Sequence, residues 1–68
     1  MRYAIVIEKA GTNFSAYVPD LPGCVATGAM IQEVEVEIRD AIRFHLDGLR
    51  EDGITLPLPS SLAEYVEA

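Results

Sequence analysis

From Ile31 onward the nonpolar pattern of this chain changes period, and that change constrains the fold more than any other feature. Before it, apolar residues alternate. After it, Ile31, Val34, Ile38, Ala41, Ile42, His45, Leu46 and Leu49 fall three and four residues apart. Alternation places side chains on one face of a strand, whereas spacings of three and four place them on one face of an α-helix. The opposite side of the expected helix carries Gln32, Arg39, Arg43, Asp47 and Arg50, and Glu35 precedes Arg39 by four residues as a favourable helical pair. Gly53, after Glu51 and Asp52, is placed to stop the helix. Its start is less well marked. No Ser, Thr, Asp or Asn directly precedes Ile31, which leaves Met30 at the N-cap, with Thr27 as the nearest residue of a capping type.

Upstream, residues 2–9 (RYAIVIEK) are rich in β-branched and aromatic types, with Tyr3, Ile5 and Ile7 on one face and Ala4, Val6 and Glu8 on the other. Both faces are largely apolar, which suggests a central strand. AGTN at 10–13 supplies turn residues, and FSAYV at 14–18 alternates, Phe14, Ala16 and Val18 against Ser15 and Tyr17, so the two runs read as a hairpin. Residues 24–27 form a third short β-prone run. Downstream, Pro57 and Pro59 keep the chain extended. Residues 62–67 admit two readings: alternation of Leu62 and Val66 against Ala63 and Tyr65 suits a strand, while Ser61 with Glu64 matches the capping box of one helical turn. The strand is favoured, because a three-stranded sheet leaves an edge to cover. The order β-β-β-α-β predicts an α+β two-layer sandwich, an antiparallel three-stranded meander plus one amphipathic helix and a fourth strand, in one domain over residues 1–68.

Composition narrows the function. Half the residues are hydrophobic, too many for a disordered tail. A chain of 68 residues buries only about 60% of its unfolded surface, so self-association, into a dimer or tetramer, or a partner is expected. Residues 1–28 are neutral, two basic against two acidic. In residues 29–68 Arg39, Arg43 and Arg50 stand against nine carboxylates, which places the whole formal charge of -6 there. Such a surface repels phosphate backbones, so no direct nucleic-acid binding is expected, and a basic protein is the better partner. No apolar stretch approaches the roughly 18 residues of a membrane span. The opening MRYAIVIEKAG has too short an apolar run for a signal peptide, and a cytoplasmic location is expected.

One stretch invites a reading as an active site: YVPDLPGC at 17–24, with the only cysteine and Asp20 close by. A cysteine nucleophile needs a base, and the one candidate, His45, lies within about 20° of Ile38 on a helical wheel, in the middle of the apolar stripe. Zinc would need about four ligands, which one Cys and one His do not supply. A Mg²⁺ nuclease needs several converging carboxylates; the first strand offers only Glu8, and Glu33, Glu35 and Glu37 point in different directions along a helix. The expectation is a binding protein without catalytic residues, cofactor or metal. Pro19 and Pro22 remove two backbone donors and fix two φ angles, and Gly23 permits a sharp re-entry, so the stretch reads as a stiff connector leading into a strand that opens at Cys24. Partner contacts are expected on the helix at Glu33, Glu37 and Asp40, with Phe44 alongside, about 120° from Ile38.

The hairpin, the motif Pro19-Asp20-Leu21-Pro22-Gly23-Cys24, Thr27-Gly28, the helix segments Ile38 to Ile42 and His45 to Gly53, the trailing Pro57 and Pro59, and the end Ala63 to Glu67 together resemble the HicB-like antitoxin family of type II toxin-antitoxin systems. The resemblance covers nearly the whole chain. It implies a partial ribonuclease-H-like fold without the nuclease carboxylates. It also implies a role: binding a small basic HicA-type toxin that cleaves messenger RNA, and blocking its active site. The alternative is an orphan homo-oligomeric HicB-like domain with a structural or ligand-binding role. Many such proteins also carry a C-terminal DNA-binding domain, and this chain is expected to be a short form without one. It also has Ala29-Met30 where relatives have an Asp-Thr pair, a missing cap worth about 1 kcal/mol.

Overall fold

The computed structural model describes residues 1–68. Strands β1 (Val6–Ala10), β2 (Asn13–Tyr17) and β3 (Val25–Gly28) form an antiparallel sheet in the order β1-β2-β3, followed by helix α1 (Ile31–Glu51). The register places Ile7 opposite Ala16 and Ala16 opposite Ala26. This row faces the helix, and its two alanines let α1 approach the sheet over β2 and β3. Val34 and Ile38 are buried against Ala16, Val18 and Cys24, with Leu46 further along the helix and Tyr3, Ile5, Ile7 and Phe14 packed around them. Each large aliphatic side chain buried this way contributes about 1.5–3 kcal/mol. On the other sheet face lies the row Val6, Tyr17, Val25, in which Tyr17 and Val25 are exposed and Val6 is half-buried; alternation assigns Tyr17 outward on β2.

Two expectations are corrected. β1 is an edge strand, with β2 central, and its ladder begins only at Val6, opposite Tyr17. Residues 2–5 find no partner because the chain leaves the sheet at Pro19, which has no N–H to donate. The inward side chains Tyr3, Ile5 and Ile7 still pack on the core, so the apolarity of this run reflects burial under the helix layer rather than a central place. The fourth strand expected at 62–67 does not form: residues 54–68 contain neither strand nor helix. Pro57 and Pro59 lack donors, and the backbone N–H groups of Ser60 and Ser61 are directed to a side chain instead of a ladder. Beyond them Leu62, Tyr65 and Val66 are exposed.

The helix ends follow their local chemistry. Met30 is the N-cap in extended conformation and makes no side-chain capping bond. Glu33 compensates in part, its carboxylate accepting from the Ala29 N–H at 3.1 Å, close to the helix N-terminus where negative charge is favoured. At the other end Gly53 takes φ 69, its N–H donates to the Arg50 carbonyl and that of Ile54 to the Leu49 carbonyl. This is a Schellman closure, for which glycine is the least strained residue. The Glu35 to Arg39 pair does not close; the ion pair on α1 is Arg50 with Asp47 at 3.1 Å, exposed and worth little. At the junction of β3 and α1, a Cβ on Gly28 would meet Glu33 and Val34 side-chain atoms at 3.1 Å. A side chain there would have to push these atoms aside by a few tenths of an ångström, so glycine suits the close turn from strand into helix.

Candidate functional site

The PDLPG stretch folds as two consecutive β-turns. The Leu21 N–H donates to the Val18 carbonyl and the Cys24 N–H to the Leu21 carbonyl, both at 3.1 Å, and the Val18 N–H closes the loop on the Cys24 carbonyl at 3.2 Å. Each turn has proline second. In the further one Gly23 follows with φ 84, the left-handed third residue of a type II turn. Proline therefore rigidifies each turn at the position it suits. The loop is more than a connector, however. Leu21 is fully buried, and Val18 and Cys24 on either side of it are 2% and 4% exposed, so the loop folds inward and plugs the end of the core.

Cys24 is buried, and burial pushes its thiol pKa up. That disfavours the thiolate a nucleophile requires. Asp20 turns away from it and binds the C-terminal segment: Ser60 and Ser61 donate their backbone N–H groups to Oδ2, both at 3.0 Å, and their hydroxyls to Oδ1 at 3.0 and 2.8 Å. The hydroxyl of Tyr3 donates to the Pro57 carbonyl and fastens the same segment beside the N-terminus. Ser61 is thus used by Asp20 rather than by a capping box with Glu64. Sequence reasoning missed this clamp, since nothing local links residues forty apart; the adjacent pair of serines after Pro57 and Pro59 was its only sign.

The four donors hold the Asp20 carboxyl at about 2 against an ordinary 3.8, the Ser61 N–H contributing most and the Ser60 N–H next. A carboxyl more acidic when folded than unfolded stabilises the folded state fully above the unfolded value and loses that contribution as pH falls through the folded one. The clamp is therefore expected to persist at pH 4 and to open around pH 2. The Ser60 and Ser61 amide resonances should titrate together near that pH. Asp20→Ala should abolish the titration and leave the segment mobile at neutral pH; unchanged order in that variant would refute the clamp.

Three carboxylates of α1 share one flank, whereas the other flank mixes Arg39, Arg43 and Arg50 with Glu35 and Asp47. At 100° per residue Glu33, Glu37, Asp40 and Phe44 lie within about 60° of one another, and all four are exposed; Glu33 and Glu37, one turn apart, thus point the same way rather than apart as expected, and only Glu35 faces elsewhere, toward the groove. The structure therefore brings the four proposed contact residues onto one strip, with Phe44 83% exposed at its edge. Glu33 is partly engaged at the helix start. His45 is half-buried on the stripe facing the sheet. The other flank carries Arg39, Arg43 and Arg50 along one side of a groove of about 720 Å³ between α1 and the β1 side of the sheet. Its floor is apolar, built from Tyr3, Ile5, Ile7, Ile38, Ile42 and Leu46. It exists because α1 lies over β2 and β3 and leaves β1 uncovered. The basic residues were visible in the sequence, but nothing there pointed to a groove. No three His, Cys, Asp or Glu side chains converge in a way that would hold a metal ion, and no helix is long and apolar enough to cross a membrane.

A three-stranded meander backed by one helix, with its polar chemistry laid out along the helix surface, has the fold of the antitoxin class. It matches a chain of the HicA3 and HicB3 toxin-antitoxin complex with a TM-score of 0.74 and 30% identity, over 87% of this chain and 70% of that one. A family model described as the HicB-like antitoxin of bacterial toxin-antitoxin systems matches residues 3–68, and the chain belongs to that family. Similar proteins include an uncharacterized protein encoded in the rep-hol intergenic region of Haemophilus phage HP1, 36% identical over 97% of this chain. A UPF0150 protein of Thermoplasma acidophilum is 31% identical over 84% of both chains, and one of Helicobacter pylori is 40% identical over 69% of this chain and 65% of its own length. The chain spans 50% of the length of the phage protein.

Proposed function

We propose that this chain is a non-enzymatic antitoxin-like protein that neutralises a small basic HicA-type toxin in the cytoplasm by occluding the surface with which the toxin cleaves messenger RNA. The observation that carries this reading is the acidic strip of α1: Glu33, Glu37 and Asp40 beside an aromatic ring, Phe44, that is 83% exposed. A basic ribonuclease must present cationic groups to RNA, and an acidic strip competes for those groups. An exposed aromatic side chain at its margin supplies the apolar anchor that such interfaces favour. Family membership and the match to a chain from a complex of toxin and antitoxin support the same reading. In it the 68 residues act as one domain with the core of a ribonuclease-H-like sandwich.

Co-expression with a small basic HicA-type toxin tests the role. The expected result is a stable complex and relief of growth arrest. Absence of a complex together with unrelieved toxicity would refute it.

A further inference from the structure

The groove is on the opposite flank of α1 from the acidic strip, and along it Arg39, Arg43 and Arg50 outnumber Glu35 and Asp47, a balance that does not favour a basic toxin. The ion pair of Arg50 with Asp47 leaves Arg39 and Arg43 without a paired carboxylate at its rim. An occupant must be apolar where it meets Tyr3, Ile5, Ile7 and Ile42 and acidic where it meets these arginines. The chain itself contains such a segment in Leu62–Glu67, whose Leu62, Tyr65 and Val66 are 81%, 100% and 87% exposed and whose charged residues are Glu64 and Glu67. The lengths also agree. From Glu35 to Arg50, both at the groove, the helix rises about 22 Å, and six extended residues span about 20 Å.

We propose that the groove between β1 and α1 receives the segment Leu62–Glu67 of a second copy of this chain, each copy inserting its segment into the other's groove. Within one chain the segment stays outside: Tyr65 is wholly exposed, and its root is fixed by Asp20 through Ser60 and Ser61 and runs beside Arg2, Tyr3 and Ala4. The clamp thus presents the segment at the rim of the molecule rather than letting it fold back. Reciprocal exchange closes as a two-fold dimer in which the same contact is made twice. It covers the apolar groove floor and the exposed side chains of the segment together, and it leaves the acidic strip free.

Sedimentation equilibrium of the full chain over a wide concentration range tests this. A monomer-dimer equilibrium is expected. Tyr65→Ser with Val66→Ser should raise its dissociation constant at least about tenfold without disturbing the fold, because both side chains are exposed. Arg39→Glu with Arg43→Glu should weaken it similarly, and adding Glu64→Arg with Glu67→Arg should restore it. In a sample mixing isotope-labelled and unlabelled protein, nuclear Overhauser contacts from the Tyr65 ring to the Ile42 methyls should pass between copies. A monomer at every concentration, a dimer indifferent to these substitutions, or contacts confined to one copy would each overturn the proposal.

Discussion

Leu21→Ala is expected to lower unfolding stability by about 2–5 kcal/mol. Leu21 has no exposed surface and is among the largest fully buried side chains, with Ile38 and Val34. Its backbone is held by the two turns on either side, through the bonds to Val18 and Cys24. The site therefore has little freedom to collapse on the cavity, which puts the cost toward the upper part of the range. A domain of this size is stable by only about 3–10 kcal/mol, so the variant should be close to unfolding at body temperature. Urea denaturation at fixed protein concentration would show a lower midpoint with an unchanged slope. Leu58→Ala makes the control: Leu58 is 76% exposed, and its removal should cost less than about 0.5 kcal/mol. Equal losses in the two variants would refute the loop's role as part of the core.

Phe44→Ala is expected to weaken the proposed complex with a HicA-type toxin by about thirtyfold, the effect of losing an aromatic anchor worth about 2 kcal/mol. Glu37→Arg with Asp40→Arg should act differently, slowing association and flattening its dependence on salt, because rim charges steer encounter more than they hold the complex. Glu33 is left alone in this test because its carboxylate also binds the Ala29 N–H, and its loss would disturb the helix start. The three chosen side chains are exposed, so circular dichroism should match the wild type. Toxin affinity unchanged within about twofold in both variants would place the interface elsewhere.

The sequence was most legible where neighbours in the chain decide the structure. The helix from Ile31, the hairpin, the inward set Phe14, Ala16 and Val18, and the stop at Gly53 all follow from period or backbone chemistry within a few residues. Three things were not legible, and all depend on distant residues. β1 is at the edge because no strand pairs on its outer side, and its ladder starts late because β2 is abandoned at Pro19; neither follows from the composition of β1. The alternation at 62–67 is a real pattern, but Ser60 and Ser61 give their donors to Asp20 forty residues away, and residues 62–67 have no strand beside them to pair with. The PDLPG stretch reads as a stiff connector from its prolines and glycine; that it bends inward and buries Leu21 is decided by space at the end of the core. On the helix, the sorting of Glu33, Glu37, Asp40 and Phe44 to one flank was implicit in their spacing, whereas the groove on the other flank arises from which strands α1 covers.

The meander also sets the order in which this protein can assemble. Every strand pairing joins neighbours along the chain, and the double turn closes between residues only six apart, Val18 and Cys24. Closing a short loop loses less entropy than closing a long one, and structures built from local contacts fold quickly. The sheet has all of its residues once Gly28 has left the ribosome, before any of the helix is needed. The Asp20 clamp, by contrast, must wait for Ser60 and Ser61 and spans forty positions. With the bond of Tyr3 to the Pro57 carbonyl, it is among the last ties to form and, being exposed, releases readily, so the C-terminal segment is the part of the molecule free to change partners while the rest stays folded.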